Sequence, residues 1–207
     1  SVATLSGIII GVTISQVVTL YQLKNDSRPW SEKRKIMTNA ALVSTVMSAG
    51  AGAVAFSSKS ILDASFNDLS VGTIDQFFTE MIGVNGSIFT VQLAISTLSY
   101  VRAIKNGDNA RQAYNRYKDE MITAVAELAA FSVIGIGLEI GADMLGGLLV
   151  DSLIPDPTGV LIALRVGYSL FKIGSKMYDK KKHEVAYKDC LQIRQYHYYE
   201  VARGAAC

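Results

Sequence analysis

The stretch SVATLSGIIIGVTISQVVTLYQLKNDSRPWSEKRK, residues 1–35, decides the fold class. Residues 1–23 hold no charged side chain, and residues 24–35 then hold five basic residues against two acidic. About twenty apolar residues suffice for a helix to cross the hydrocarbon core of a bilayer, and a bilayer retains Lys and Arg on its cytoplasmic side. The stretch therefore reads as a membrane crossing that ends in a cytoplasmic connection. Pro29 breaks any helix running through that connection, and Trp30 suits the interface beside it.

The same alternation continues along the chain. Residues 59–80 carry one basic side chain against four acidic, residues 102–120 five against three, residues 139–156 none against four, and residues 172–194 seven against three. Two further charge-free windows, 36–58 and 81–101, lie between these segments. They are rich in Ser, Thr, Ala and Gly, with Asn39, Asn85 and Gln92 inside, so their insertion into lipid is marginal on a biological scale. An antiparallel soluble bundle with one basic and one acidic end produces the same alternation, and the pattern alone does not separate the two.

Composition sets the outer bounds. With 207 residues, 50% of them hydrophobic, and a mean hydropathy of +0.27, the chain accommodates one domain with a substantial core. A net charge of +2, with the basic residues lying between apolar segments, excludes a nucleic-acid interface. The chain opens on Ser1 without an initiator Met, which reads as processing, trimming or excision from a longer protein. Residues 1–23 lack the basic start of a signal peptide and read as part of the mature structure.

The later segments complete an all-α plan. Between 66 and 81, Leu69, Ile74, Phe77, Phe78 and Met81 recur at helical spacing opposite Asp68 and Asp75, which predicts a short amphipathic helix. A fourth apolar region, 121–154, carries Glu127, Glu139 and Asp143, and Pro155-Asp156-Pro157 ends it. A fifth, 158–177, carries Arg165, Lys172 and Lys176. After it, residues 179–207 form a polar helix and tail with Tyr196, Tyr198 and Tyr199, so the chain divides into a bundle over 1–178 and a Tyr-rich extension over 179–207.

Two constellations stand out. Small residues repeat at four-residue spacing in Gly7/Gly11, Ser48/Gly52, Gly137/Gly141 and Gly159/Ala163/Gly167, which lets helix backbones approach closely in lipid. Folding the hairpin about Asp156 brings the acidic face of Glu139 and Asp143 level with the basic face of Arg165 and Lys172. Such pairs either hold two helices in register or line a polar path, because an ionisable group at membrane depth needs a partner or water.

Catalysis finds no support. His183 and His197 lie in the polar tail away from any metal-binding spacing, Cys190 and Cys207 form no CxxC unit, and no phosphate-binding glycine loop is present. The sequence thus predicts a non-enzymatic, cofactor-free, metal-free multi-helix bundle. It is integral to a membrane with four or five transmembrane helices, N-terminus outside and C-terminal polar helix in the cytoplasm. It forms or lines a passage, with the lipid bilayer, further copies of itself or subunits of a membrane complex as partners. The alternatives are a structural subunit of such a complex, and a soluble bundle that inserts its 121–177 hairpin on contact with a membrane.

Overall fold

The computed structural model describes residues 2–65, 71–144 and 157–204. Among them are five helices: α1 (Val2–Leu23), α2 (Trp30–Ser65), α3 (Val71–Lys105), α4 (Ala110–Met144) and α5 (Pro157–Gly204). They belong to two compact units, Ser1–Ile162 and Ala163–Cys207. α2, α3 and α5 outrun the apolar windows that announced them, α4 begins well before its own, and α1 matches its window. The three prolines are Pro29, Pro155 and Pro157, so every residue from 30 to 154 can donate to a helix, and the flanking Lys, Arg, Glu and Gln residues are good helix formers. For the same reason residues 71–81, predicted as a separate amphipathic helix, are the opening turns of α3.

Four helices contain segments long and apolar enough to cross a membrane: Leu5–Leu23, Trp30–Ala64, Gly83–Lys105 and Ala110–Leu138. The shortest, at 19 residues, spans about 28 Å at 1.5 Å per residue, close to the ~30 Å of a hydrocarbon core. The apolar start of α5, diluted by Arg165, Lys172 and Lys176, is not among the four.

The turns of the first unit explain why α1 and α3 stop, and α2 and α4 start, where they do. After α1, the Asp26 N–H donates to the Leu23 carbonyl at 3.2 Å, and Asp26 Oδ1 accepts the Arg28 N–H at 2.9 Å. Pro29 then opens α2, its carbonyl accepting from Glu32 and Lys33. After α3, the Asp108 N–H reaches the Ala103 carbonyl at 3.0 Å and the Gly107 N–H reaches Ile104 at 3.1 Å, the paired bonds of a Schellman cap. That cap needs a left-handed residue, and Gly107 has φ +88°. Asn109 starts α4, its Oδ1 accepting the Arg111 and Gln112 N–H groups at 3.0 and 3.3 Å.

Cations tie these two turns together. The Arg28 guanidinium donates to the Ile104 carbonyl, and Lys105 Nζ donates to the Gln22 carbonyl at 2.9 Å. Each places positive charge on the carbonyl end of a neighbouring helix, where the helix dipole favours it. The connections 24–29 and 106–109 therefore share one end of the bundle, and that end is basic.

Around the bundle the order is α1, α2, α4, α3, with an additional contact between α2 and α3 across the middle. Leu23, Val43, Leu93, Val101, Met121 and Leu128 are buried in its core. More telling is what shares the inside with them. On α1 the buried positions are Gly11, Ser15, Thr19 and Leu23, while Leu5, Ile9, Ile10, Val17 and Leu20 point out. On α2, Ser44, Ser48 and Ser58 are buried, and Leu42, Val46, Phe56 and Ile61 are exposed. On α4, Glu127 and Ser132 are buried, and Ile122, Val133 and Ile134 are exposed.

Large apolar side chains are thus exposed while hydroxyls and a carboxylate share the apolar core. A large apolar side chain left in water forgoes about 1.5–3 kcal/mol of burial, and each of α1 to α4 presents two or more. Several of the hydroxyls are satisfied within their own helix. Thr19, Ser58, Thr90 and Ser132 each donate to the carbonyl one turn earlier, at 2.7 to 2.8 Å, as hydroxyls do where no water is at hand.

The second unit consists of the greater part of α5. Its first turns expose Leu164, Leu170, Phe171 and Met177, and the helix continues without interruption into the charged run that begins at Asp179.

Candidate functional site

The interior of the first unit carries two polar layers. The one nearer the basic end joins all four helices. From α1, Ser15 Oγ donates to the Ala40 carbonyl at 3.2 Å, and Gln16 Nε2 to the Met37 carbonyl at 3.1 Å. From α2, Asn39 Nδ2 donates to the Tyr100 hydroxyl of α3 at 3.3 Å. Thr97 of α3 and Tyr117 of α4 share a hydrogen bond of 3.0 Å between hydroxyls. The Tyr100 and Tyr117 rings stack with centroids 5.0 Å apart and 12° between planes, and Tyr114 meets Tyr100 edge-on at 6.4 Å. Tyr117 is only 1% exposed, so its ring plugs the bundle axis at this level.

The deeper layer contains a carboxylate. Gln92 Nε2 on α3 donates to Glu127 Oε2 on α4 at 2.9 Å, and Glu127 is 8% exposed. Glu127 lies nine residues past Lys118, about 14 Å along α4. The Gln92 carbonyl oxygen is buried with no hydrogen-bond partner among the described residues, and the same is true of Ser48 Oγ on α2. An ionisable group at this depth is expensive to hold unless a polar neighbour or water meets it.

Close helix packing occurs at Gly11. A methyl added there would stand 3.2 Å from Ser48 Cβ and 3.3 Å from Leu93 Cδ2, and would collide with Ser48 Oγ, so the α1 backbone sits directly against α2 and α3. Around Gly7, Gly137, Gly141 and Gly167 no atom of the described residues lies within 4 Å of such a methyl. Gly159 is half-buried and Ala163 exposed. Among these small residues, then, Gly11 brings helices of this chain together, and the faces of Gly7, Gly137, Gly141 and Gly167 are open.

The side chains of Glu139 and Asp143, and the turn at Pro155 and Asp156, lie outside the described residues. Arg165 is buried, its carbonyl accepting the Ser169 hydroxyl at 2.9 Å, and Lys172 is half-buried. In the interior of the bundle the carboxylate with a described partner is Glu127, which the sequence offers only as one charge of the fourth apolar region. What marks it is local: no other charged side chain stands between 121 and 138, and Gln92 is the longest polar side chain of the window it faces. Among the described residues no three His, Cys, Asp or Glu side chains gather as a metal site. The chemistry the interior offers is hydrogen bonding around one buried acid. Comparison with known proteins finds no matching family model, no similar curated protein and no similar solved structure.

Proposed function

We propose that this chain is an integral membrane protein that forms or lines a passage for small ions, with Glu127 as its ionisable group at mid-depth. The observation that carries the reading is the polarity of α1 to α4: large apolar side chains exposed on every helix, and hydroxyls, amides and one carboxylate sharing the interior with the apolar core. A bilayer rewards the outer surface, and a buried acid within it is the usual mark of an ion or proton route.

Topology follows from charge. With the basic turns 24–29 and 106–109 in the cytoplasm, the start of α1 is outside, and four crossings return the chain to the outside after α4. The strongly basic residues 172–194 belong in the cytoplasm by the same rule, so residues 157–177 of α5 make a fifth crossing. Because Leu93, Tyr117 and Met121 fill the bundle axis, a route through one copy is a chain of hydrogen-bonding groups and not an open pore.

The test is ion and proton flux into dye-loaded liposomes reconstituted with the full chain, wild type against Glu127→Gln. A passage that uses the acid loses flux in the variant while helix content and thermal midpoint in detergent stay close to wild type. Equal flux in both, or none in either, removes the reading.

A second reading, a structural subunit of a larger membrane assembly, is favoured by the open faces of Gly7, Gly137 and Gly141. They are suited to a helix from another chain, and the native mass of the detergent-extracted protein separates a hetero-complex from copies of itself.

A further inference from the structure

At the basic end of the bundle a cavity of about 430 Å³ opens beside the first turns of α2, lined by Ser31, Arg34, Lys35, Thr38 and Asn39. Ser31, Arg34, Lys35 and Thr38 are spaced i, i+3, i+4 and i+7, so one helix face carries two hydroxyls and two cations. Of the other cations of this end, Arg28 is bonded to the Ile104 carbonyl and Lys105 to that of Gln22, and Lys24, Lys33, Arg102 and Arg111 are not among the lining residues. Arg34 and Lys35 make no hydrogen bond or ion pair among the described residues. Trp30, 62% exposed, stands one turn before Arg34, where an aromatic ring meets the headgroup level of a bilayer.

We propose that this cavity binds a phosphate group, the Arg34 guanidinium and Lys35 ammonium holding its charge and the Ser31 and Thr38 hydroxyls donating to its oxygens. Arg supplies a planar fork that matches phosphate oxygens, and Lys supplies a mobile point charge beside it. The first turn of α2 adds the positive end of its dipole, and Glu32, the acidic residue of that turn, is not among the lining residues. The cavity is open to the surface, its five lining residues all exposed, and it is large enough to admit a phosphate group. The phosphate of an anionic lipid in the cytoplasmic leaflet is placed at this height if the chain is embedded as proposed above, and the inference rests on that reading for its lipid source; free phosphate presents the same chemistry from the water side.

Trp30 is the single tryptophan of the chain and stands one turn before Arg34, so its emission reports the surroundings of this end of α2. The full chain in nanodiscs of phosphatidylcholine is compared with nanodiscs containing increasing phosphatidylglycerol, and in detergent with inorganic phosphate. The variants are Arg34→Gln/Lys35→Gln and, as a control with the same charge removed from the same end, Arg102→Gln/Arg111→Gln. A saturable shift of Trp30 emission with phosphatidylglycerol is expected, weakened roughly tenfold or more in the first variant and little changed in the control. A shift with inorganic phosphate, again lost only in the first variant, supports the site and assigns its ligand to the water phase. It does so even if the chain proves not to be embedded. Equal weakening in both variants, or no saturable shift with either probe, overturns the proposal.

Discussion

Gln92 and Glu127 meet through a single 2.9 Å hydrogen bond between α3 and α4, helices whose outward faces carry Val91, Ile95, Ile122, Val133 and Ile134. The bond is inter-helical, and it gives a buried acid a defined donor. Replacing Gln92 by Leu removes that donor and leaves the acid facing a hydrocarbon side chain. A loss of about 1–3 kcal/mol is expected in denaturant titrations of the detergent-solubilised protein. In a double-mutant cycle with Glu127→Leu, a coupling of about 0.6–1.7 kcal/mol is expected, the range typical of inter-helical bonds in lipid. Zero coupling would mean that the two side chains do not meet.

Gly11 predicts a second asymmetry. Gly11→Leu forces the α1 backbone away from Ser48 and Leu93, and overpacking of this kind costs about 1–3 kcal/mol. Gly137→Ala, in open space, removes a helix-interior glycine and is expected to stabilise the isolated chain by up to about 1 kcal/mol. If Gly137→Leu instead lowers the native mass in mild detergent, its open face is occupied by another chain. Unfolding midpoints and native mass measured on the same preparations separate the two effects.

The α3–α4 turn carries its own test. Gly107 at φ +88° holds the cap of α3, and Gly107→Ala is expected to cost about 1 kcal/mol although its Cβ would touch nothing. Asn109→Ala removes the acceptor for the Arg111 and Gln112 N–H groups and is expected to cost a similar amount, about 1 kcal/mol. Both variants should keep the oligomeric mass of the wild type, which distinguishes them from Gly137→Leu.

Five crossings make a statement about sidedness that labelling can check. Cysteines placed at Ser27 and Asn106 should be modified from the same side of the membrane as native Cys207, and a cysteine at Ser6 from the opposite side. Labelling of Cys207 from the side of Ser6 would reduce the crossings to four.

Much of this fold was legible in the sequence, because charge and Pro are punctuation that lipid and helix geometry both obey. The break at Pro29, the helical character of the windows 36–58 and 81–101, and the shared end of the basic turns all follow from residue type alone. Helix ends were less legible. Arg111, Arg116 and Lys118 read as a loop by charge, yet they ride on α4, since a helix continues past the apolar core until a cap such as Asn109 or Gly107 stops it.

The buried acid was harder to place for a geometrical reason. Counting outward from the turn sets Gln92 opposite a residue about one helical turn short of Glu127. Side chains lean toward the N-terminus of their own helix, so on antiparallel helices Gln92 leans away from the turn and Glu127 leans back toward it. The two meet one turn out of register.

The central claim is that the apolar outer faces of α1 to α4 are covered by lipid. Extraction of membranes with alkaline carbonate tests it most directly. The full chain is predicted to stay in the membrane pellet and to require detergent for release. Recovery in the carbonate supernatant as a monodisperse species without detergent would contradict the account.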